Sequence, residues 1–195
     1  MNKKIFLAIT GASGVIYGRR MLQALCAEGM DVWLSISDNA RGIIRDELGV
    51  ELAAEQPDIE KFAGVRNVHY VPPGQMTAAP ASGSFITAGM IIAPCTMSTL
   101  GAIASGHGTN LIHRVADVAL KERRPLVLVA RETPLNAIHL ENMLRLSRAG
   151  AVILPACPAF YHGPQTINDL VDFVVSRALD AVGINNSLVR RWGER

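Results

Sequence analysis

Short apolar runs recur along the chain, and each is closed by residues that turn the backbone. Residues 4–10, 31–36, 88–93, 125–130 and 151–154 are rich in Ile, Val, Leu, Ala and Phe. Runs of this length predict strands buried on both faces of a parallel sheet. Between them the apolar positions recur at helical spacing. After Gly14, residues Ile16, Met21, Leu22, Leu25 and Cys26 share one face until Gly29 ends the pattern, and further helices are predicted over 39–48, 98–104, 111–122, 138–148 and 167–182. Strands alternating with helices imply right-handed crossovers and a mostly parallel sheet between two helical layers, a three-layer α/β sandwich forming one domain over residues 1–195.

One segment breaks the pattern. Residues 56–84 show no period and are dense in turn formers, as in Val71-Pro72-Pro73-Gly74, so they are expected to form a long surface loop with one edge strand at 67–71. A loop of that length inside a compact domain is more often functional than idle.

Composition narrows the partners. With 19 Lys and Arg against 17 Asp and Glu, the net charge of +2 is too small for a phosphate-backbone stripe, which disfavours nucleic acid. Cys26, Cys95 and Cys157 are widely spaced in apolar company, as expected of small buried hydrophobes in a reducing compartment. The first apolar run is too short for a signal-peptide core, and no run approaches the ~20 residues that span a bilayer. A cytoplasmic protein is expected, without membrane contact.

The candidate chemistry begins where the first strand meets the first helix. Thr10-Gly11-Ala12-Ser13-Gly14 presents backbone N–H groups and a helix start at one spot, an anion site with the Ser13 hydroxyl beside it. The plainer alternative is a turn that merely needs glycine. Its G-x-x-G spacing lacks the dinucleotide pattern, the second strand closes on Ile36-Ser37 without a carboxylate, and no Gly-Lys-Ser or Gly-Lys-Thr is present, which disfavours NAD and ATP. None of Tyr17, Tyr70 and Tyr161 has Lys four residues on, which excludes a short-chain dehydrogenase dyad. A second hydroxyl-rich turn, Pro94-Cys95-Thr96-Met97-Ser98-Thr99, either donates to a ligand's polar edge or caps the helix that follows. The five histidines and three cysteines show no metal-ligand spacing, so no metal is expected.

TGASG, APASGS at 79–84, the Cys-Thr-Met-Ser-Thr turn, Asn110-Leu111-Ile112 with Arg114, and ADVALKERRPLVLV at 116–129 follow in order. Arg131-Glu132, HLENML at 139–144, Pro155-Ala156, Phe160-Tyr161-His162 and Arg191-Trp192-Gly193-Glu194 continue the series to the end. Together they resemble the flavin prenyltransferase (UbiX) family. The resemblance implies a Rossmann-like (flavodoxin-like) fold in a homo-oligomer, a dodecamer in this family. It implies that reduced FMN is bound as acceptor, that dimethylallyl monophosphate is the donor, and that prenylated FMN passes to a UbiD-type decarboxylase. It places FMN on Gly11, Ala12, Ser13, Ser37, Thr96, Met97, Ser98, Thr99 and Arg131, and the prenyl phosphate on Lys121, Arg131, Tyr161, Arg177 and Arg114, with Glu47 and Glu132 nearby.

The residue types suit that chemistry. A departing phosphate needs Mg²⁺ or fixed cations, and no adjacent Asp pair is present to hold the metal. Arg114, Asp117 and Lys121 fall on one helix face, where the carboxylate is expected to hold both cations, whereas Arg123 and Arg124 read as a solvated helix end. Bond formation at a flavin ring carbon releases a proton, for which Glu132 is the first candidate and Glu47 the second, with Ser13 as relay or phosphate holder. Trp192 is a candidate wall for the allylic group. Met76 stands just before APASGS, where some relatives carry Trp, which bears on the shape of the prenyl pocket. Two other readings use the same fold: a flavin-dependent cysteine decarboxylase, which needs a catalytic His rather than clustered cations, and a non-catalytic FMN carrier.

Overall fold

A computed structural model describes residues 3–191 and 193. Six strands form one sheet in the order β3-β2-β1-β4-β5-β6: β1 (Lys4–Ile9), β2 (Asp31–Ile36), β3 (His69–Tyr70), β4 (Met90–Cys95), β5 (Leu126–Ala130) and β6 (Val152–Pro155). Every pairing is parallel, so the mostly parallel sheet expected from sequence is wholly parallel. Leaving out the two-residue β3, the remaining strands follow the flavodoxin order 2-1-3-4-5; including it gives the dinucleotide-fold order.

Strand parity assigns the layers. Ile5, Leu7 and Ile9 of β1, Ile91 and Ala93 of β4, and Val127 and Val129 of β5 face one core. That core is covered by α1 (Val15–Ala27), α2 (Asp38–Leu48), α3 (Ile59–Ala63) and α7 (Ile167–Ala181). Phe6, Ala8, Met90, Ile92, Leu126 and Leu128 face the other, under α4 (Met97–Ala104), α5 (Leu111–Lys121) and α6 (Ala137–Arg148). The central strands are apolar on both faces because helices cover both.

Three features depart from the sequence expectation. The segment 56–84 contains a helix: Asp58 caps α3 by accepting the Lys61 N–H at 2.9 Å, and Gly64 ends it in a left-handed conformation. Five residues are too few for a period to show, and what holds α3 is tertiary: Phe62 and Ala63 are buried, and the Gln23 amide donates to the Ala63 carbonyl at 2.9 Å. Second, β4 begins at Met90 rather than at residue 88; the Ala88 N–H instead donates to the Lys4 carbonyl at 2.7 Å as the chain enters the sheet. Third, the cysteines differ from one another. Cys95 is buried and its thiol is pushed up to about 12 by desolvation, but Cys26 is half-buried and Cys157 is exposed, in the segment beyond edge strand β6. No described helix is long and apolar enough to cross a membrane.

Candidate functional site

The turns after β1 and β4 lie side by side where the strand order reverses, the place where ligands gather in open parallel sheets. Thr10 joins them. Its buried hydroxyl donates to the Pro94 carbonyl at 2.8 Å and accepts the Thr96 N–H at 2.9 Å. Gly11 packs the first turn against the start of α2: a Cβ there would lie 2.6 Å from the Asn39 Cβ. Ser37, closing β2, caps α2 by accepting the Ala40 N–H at 3.3 Å. Gly11, Ala12, Ser13 and Ser37 therefore share one corner, with the amides that open α2.

The start of α1 is already occupied by a protein group. The Glu47 carboxylate accepts the Gly14 N–H at 3.0 and 2.9 Å and the Val15 N–H at 3.1 Å. An acidic side chain at that position is favoured by the helix dipole. The anion site expected from TGASG at the head of α1 thus holds Glu47. Donors left for an outside anion come from Ser13, Ser37 and the start of α2. Glu47 is thereby anchored to the two residues that directly follow Ser13.

At the β4 turn, Thr96 caps α4. Its Oγ1 accepts the Thr99 N–H at 3.1 Å and lies 2.9 Å from the Thr99 hydroxyl and 3.1 Å from that of Ser98. Capping and ligand donation, which the sequence left open, are compatible because each hydroxyl carries more than one hydrogen-bonding position. Met97 turns into the core, so only its backbone can face a ligand. Arg131 follows β5, its N–H donating to the Cys95 carbonyl at 3.3 Å. Its Nε is buried without a partner. A shielded guanidinium nitrogen with nothing to donate to is costly unless a ligand supplies the acceptor. Next to it, Glu132 is exposed and accepts the Thr133 N–H at 3.1 Å.

The remaining cations are elsewhere. Lys121 ends α5 and pairs with Glu122, whose carboxyl it holds below the usual range, first through the hydrogen bond. Among the described residues Asp117 holds Arg114 alone, at 2.8 Å; the arginine also reaches the Ala81 carbonyl at 3.1 Å. The shared carboxylate expected from helix spacing is therefore replaced by two separate pairs, since Lys121 reaches its chain neighbour first. Lys121 stands before β5 and Arg131 after it, separated by five strand residues or roughly 13–17 Å. Tyr161 and Arg177 line a cavity of about 130 Å³ with Ser176, Asp180, Arg190 and Arg191. Arg177 pairs with Asp180 at 3.1 Å. Trp192 lies outside the described residues. Among the described residues no group of three His, Cys, Asp or Glu side chains is placed to hold a metal ion.

Comparison with known proteins bears on this arrangement. Residues 1–179 match the family described as Flavoprotein. The flavin prenyltransferase UbiX of Methanothermobacter thermautotrophicus is 53% identical over 190 residues, covering 97% of this chain and 95% of its own. The chain belongs to the UbiX family of flavin prenyltransferases. A solved relative, AnUbiX (PadA1) in complex with FMN and dimethylallyl pyrophosphate, superposes with a TM-score of 0.90 at 44% identity, covering 99% of this chain and 98% of that one. A dodecameric FMN-dependent UbiX-like decarboxylase from Escherichia coli O157:H7 superposes at 0.88 with 42% identity, covering 97% and 98%. Identity of this order over the whole UbiX chain does not favour the cysteine decarboxylase alternative.

Within one UbiX chain, then, the residues expected at the flavin converge, whereas those expected at the prenyl phosphate fall into three places: Arg131, the Arg114 and Lys121 helix, and the Tyr161 and Arg177 cavity. Thr10 was quoted within its motif but given no role by sequence reasoning; a β-branched hydroxyl closing a buried strand was the available signal. Asp180, which gathers Arg177 and Arg191, was also given no role; its i,i+3 spacing from Arg177 in the predicted helix was the available signal for the first pair, whereas Arg191, eleven residues on and beyond that helix, gave none.

Proposed function

We propose that this chain transfers a dimethylallyl group from dimethylallyl monophosphate to reduced FMN, releasing prenylated FMN for a decarboxylase of the UbiD type. The observation that carries the reading is the buried, unpartnered Nε of Arg131 beside the hydroxyl-lined turn of Thr96, Ser98 and Thr99 at the switch point of the sheet. The donor set fits FMN: hydroxyls and a cation for its polar ring edge, and Ser13, Ser37 and backbone amides for its phosphate. When bound, FMN supplies the nucleophilic ring.

The protein's own groups do the rest. Gly11, Ala12, Ser13 and Ser37 anchor the phosphate end, and Thr96 to Thr99 with Arg131 orient the ring. Glu132, exposed beside Arg131, takes the proton lost from the ring carbon. Glu47, held in place by three N–H contacts to two amides, sets the position of Ser13, which relays a proton or steadies the donor phosphate. Charge growing on the departing phosphate is met by fixed cations, which need no rearrangement as it develops.

Because Lys121 and Arg131 lie at opposite ends of β5, we place the complete site between copies of the chain: Lys121 and Arg114 from one, Tyr161 and Arg177 from another, around the flavin corner of a third. A closed homo-oligomer, such as the dodecamer of the Escherichia coli relative, is where such junctions would form. Anaerobic incubation with reduced FMN and dimethylallyl monophosphate tests the reading. Flavin mass raised by one dimethylallyl unit is the expected result; unchanged flavin overturns it. A mere FMN carrier would be indifferent to Glu132→Gln and Lys121→Ala, which here abolish product without releasing FMN.

A further inference from the structure

Two cavities meet at Arg177. The first, about 130 Å³, gathers Arg177, Arg190 and Arg191 around Asp180, which already receives Arg177 at 3.1 Å and Arg191 at 2.8 Å. Among the described residues that line it, three guanidinium groups stand against one carboxylate. The second, about 280 Å³, lies between edge strand β6 and α7 and is walled by Val152, Leu154, Pro155, Val174 and Ala181. Phe173 and Arg177 line both. Among the described residues strand β6 has a partner on one side only, and Val152 is 39% exposed. A guanidinium-rich chamber thus adjoins, across Phe173 and Arg177, an apolar groove whose volume approaches the ~300 Å³ at which small-molecule sites begin.

That polarity matches one class of ligand, an anionic head carrying an apolar chain. We propose that the groove between β6 and α7 receives the chain of a prenyl phosphate longer than dimethylallyl, with its phosphate held by Arg177. The proposal rests on the assignment of Arg177 to the donor phosphate made above. The groove follows β6 from Pro155 back to Val152, away from the edge of the sheet where the same subunit holds its flavin. Because both compounds place their phosphate on Arg177, the longer one acts as a competitor of the donor.

The test uses the full-length protein loaded with FMN, titrated calorimetrically with geranyl monophosphate, dimethylallyl monophosphate and inorganic phosphate. Geranyl phosphate binds at least about tenfold tighter than dimethylallyl phosphate if its extra carbons are buried, and it raises the apparent KM for the donor. Ala181→Phe, which fills the groove, removes this preference while leaving dimethylallyl phosphate affinity unchanged. Val152→Lys, at the exposed mouth, does the same should the first variant fold poorly. Equal affinity for the two chain lengths, a preference that survives both variants, or geranylated flavin as product overturns the proposal. So does an oligomer broken by Val152→Lys with geranyl phosphate binding intact, which would make the groove a contact between copies. Failure of the transfer reading looks different: the chain-length preference stands while no prenylated flavin forms.

Discussion

Thr10 and Arg131 show how single side chains hold the site in two senses. The Thr10 hydroxyl makes two hydrogen bonds to residues 84 and 86 positions away, both at the end of β4 and the turn after it. Thr10→Val keeps the shape and the Thr10 N–H bond to the Pro94 carbonyl but leaves the Thr96 N–H without its partner, at a cost of roughly 1–3 kcal/mol. Denaturant unfolding will show that loss, and FMN titration a weaker flavin complex. Arg131 carries the opposite signature, a buried donor waiting for an acceptor. Removing it leaves folding stability little changed or improved, because an unsatisfied group goes with it, whereas FMN affinity falls by about tenfold or more, as for a charge-assisted hydrogen bond. Cys95 supplies a third check. With its thiol pushed up to about 12 by burial, it stays unmodified by iodoacetamide at neutral pH until the protein unfolds.

Among the elements, the helix starts carry the local logic. Glu47 belongs to α2 yet caps α1, so its carboxylate ties two helices to the glycine turn. Glu47→Ala is expected to cost about 1 kcal/mol, as capping residues do, and to impair product formation more than FMN binding; unfolding curves beside turnover separate the two. At α7, Asp169 is held below the usual carboxylate range by the N–H groups of Gln165 and Thr166. A carboxyl depressed in the folded state stabilises above its ordinary value and loses that contribution as pH falls through the folded one. Stability against acid should therefore fall less steeply in Asp169→Asn than in the native chain, measured by unfolding midpoints across the acid range. Strands β1, β2, β5 and β6 and helices α1, α2 and α4 to α7 were legible from apolar runs and helical spacing within a residue or two. Helix α3 was not, because Phe62 and Ala63 gain their burial from α1, far away in sequence.

In the whole molecule, the separation of Lys121 from Arg131 by the length of β5 has a consequence for assembly. Lys121→Ala and Arg131→Ala chains, each inactive alone, should regain part of the native turnover when refolded together, since mixed junctions contain some sites with both cations. Prenylated flavin formed by the mixture but by neither variant is the expected outcome.

The sequence by itself determined the layered parallel fold, through apolar runs flanked by helical periods, and the flavin corner, through two glycine- and hydroxyl-rich turns following predicted strands. Both are local patterns, written in neighbouring residues. Tertiary structure alone decided that Glu47 fills the head of α1, that the Arg131 Nε is buried without a partner among the described residues, and that Lys121 stands at the far end of β5 from it. Those facts depend on which strands become neighbours and which edge each loop reaches, and hydrogen bonds spanning thirty to eighty residues leave no period to read.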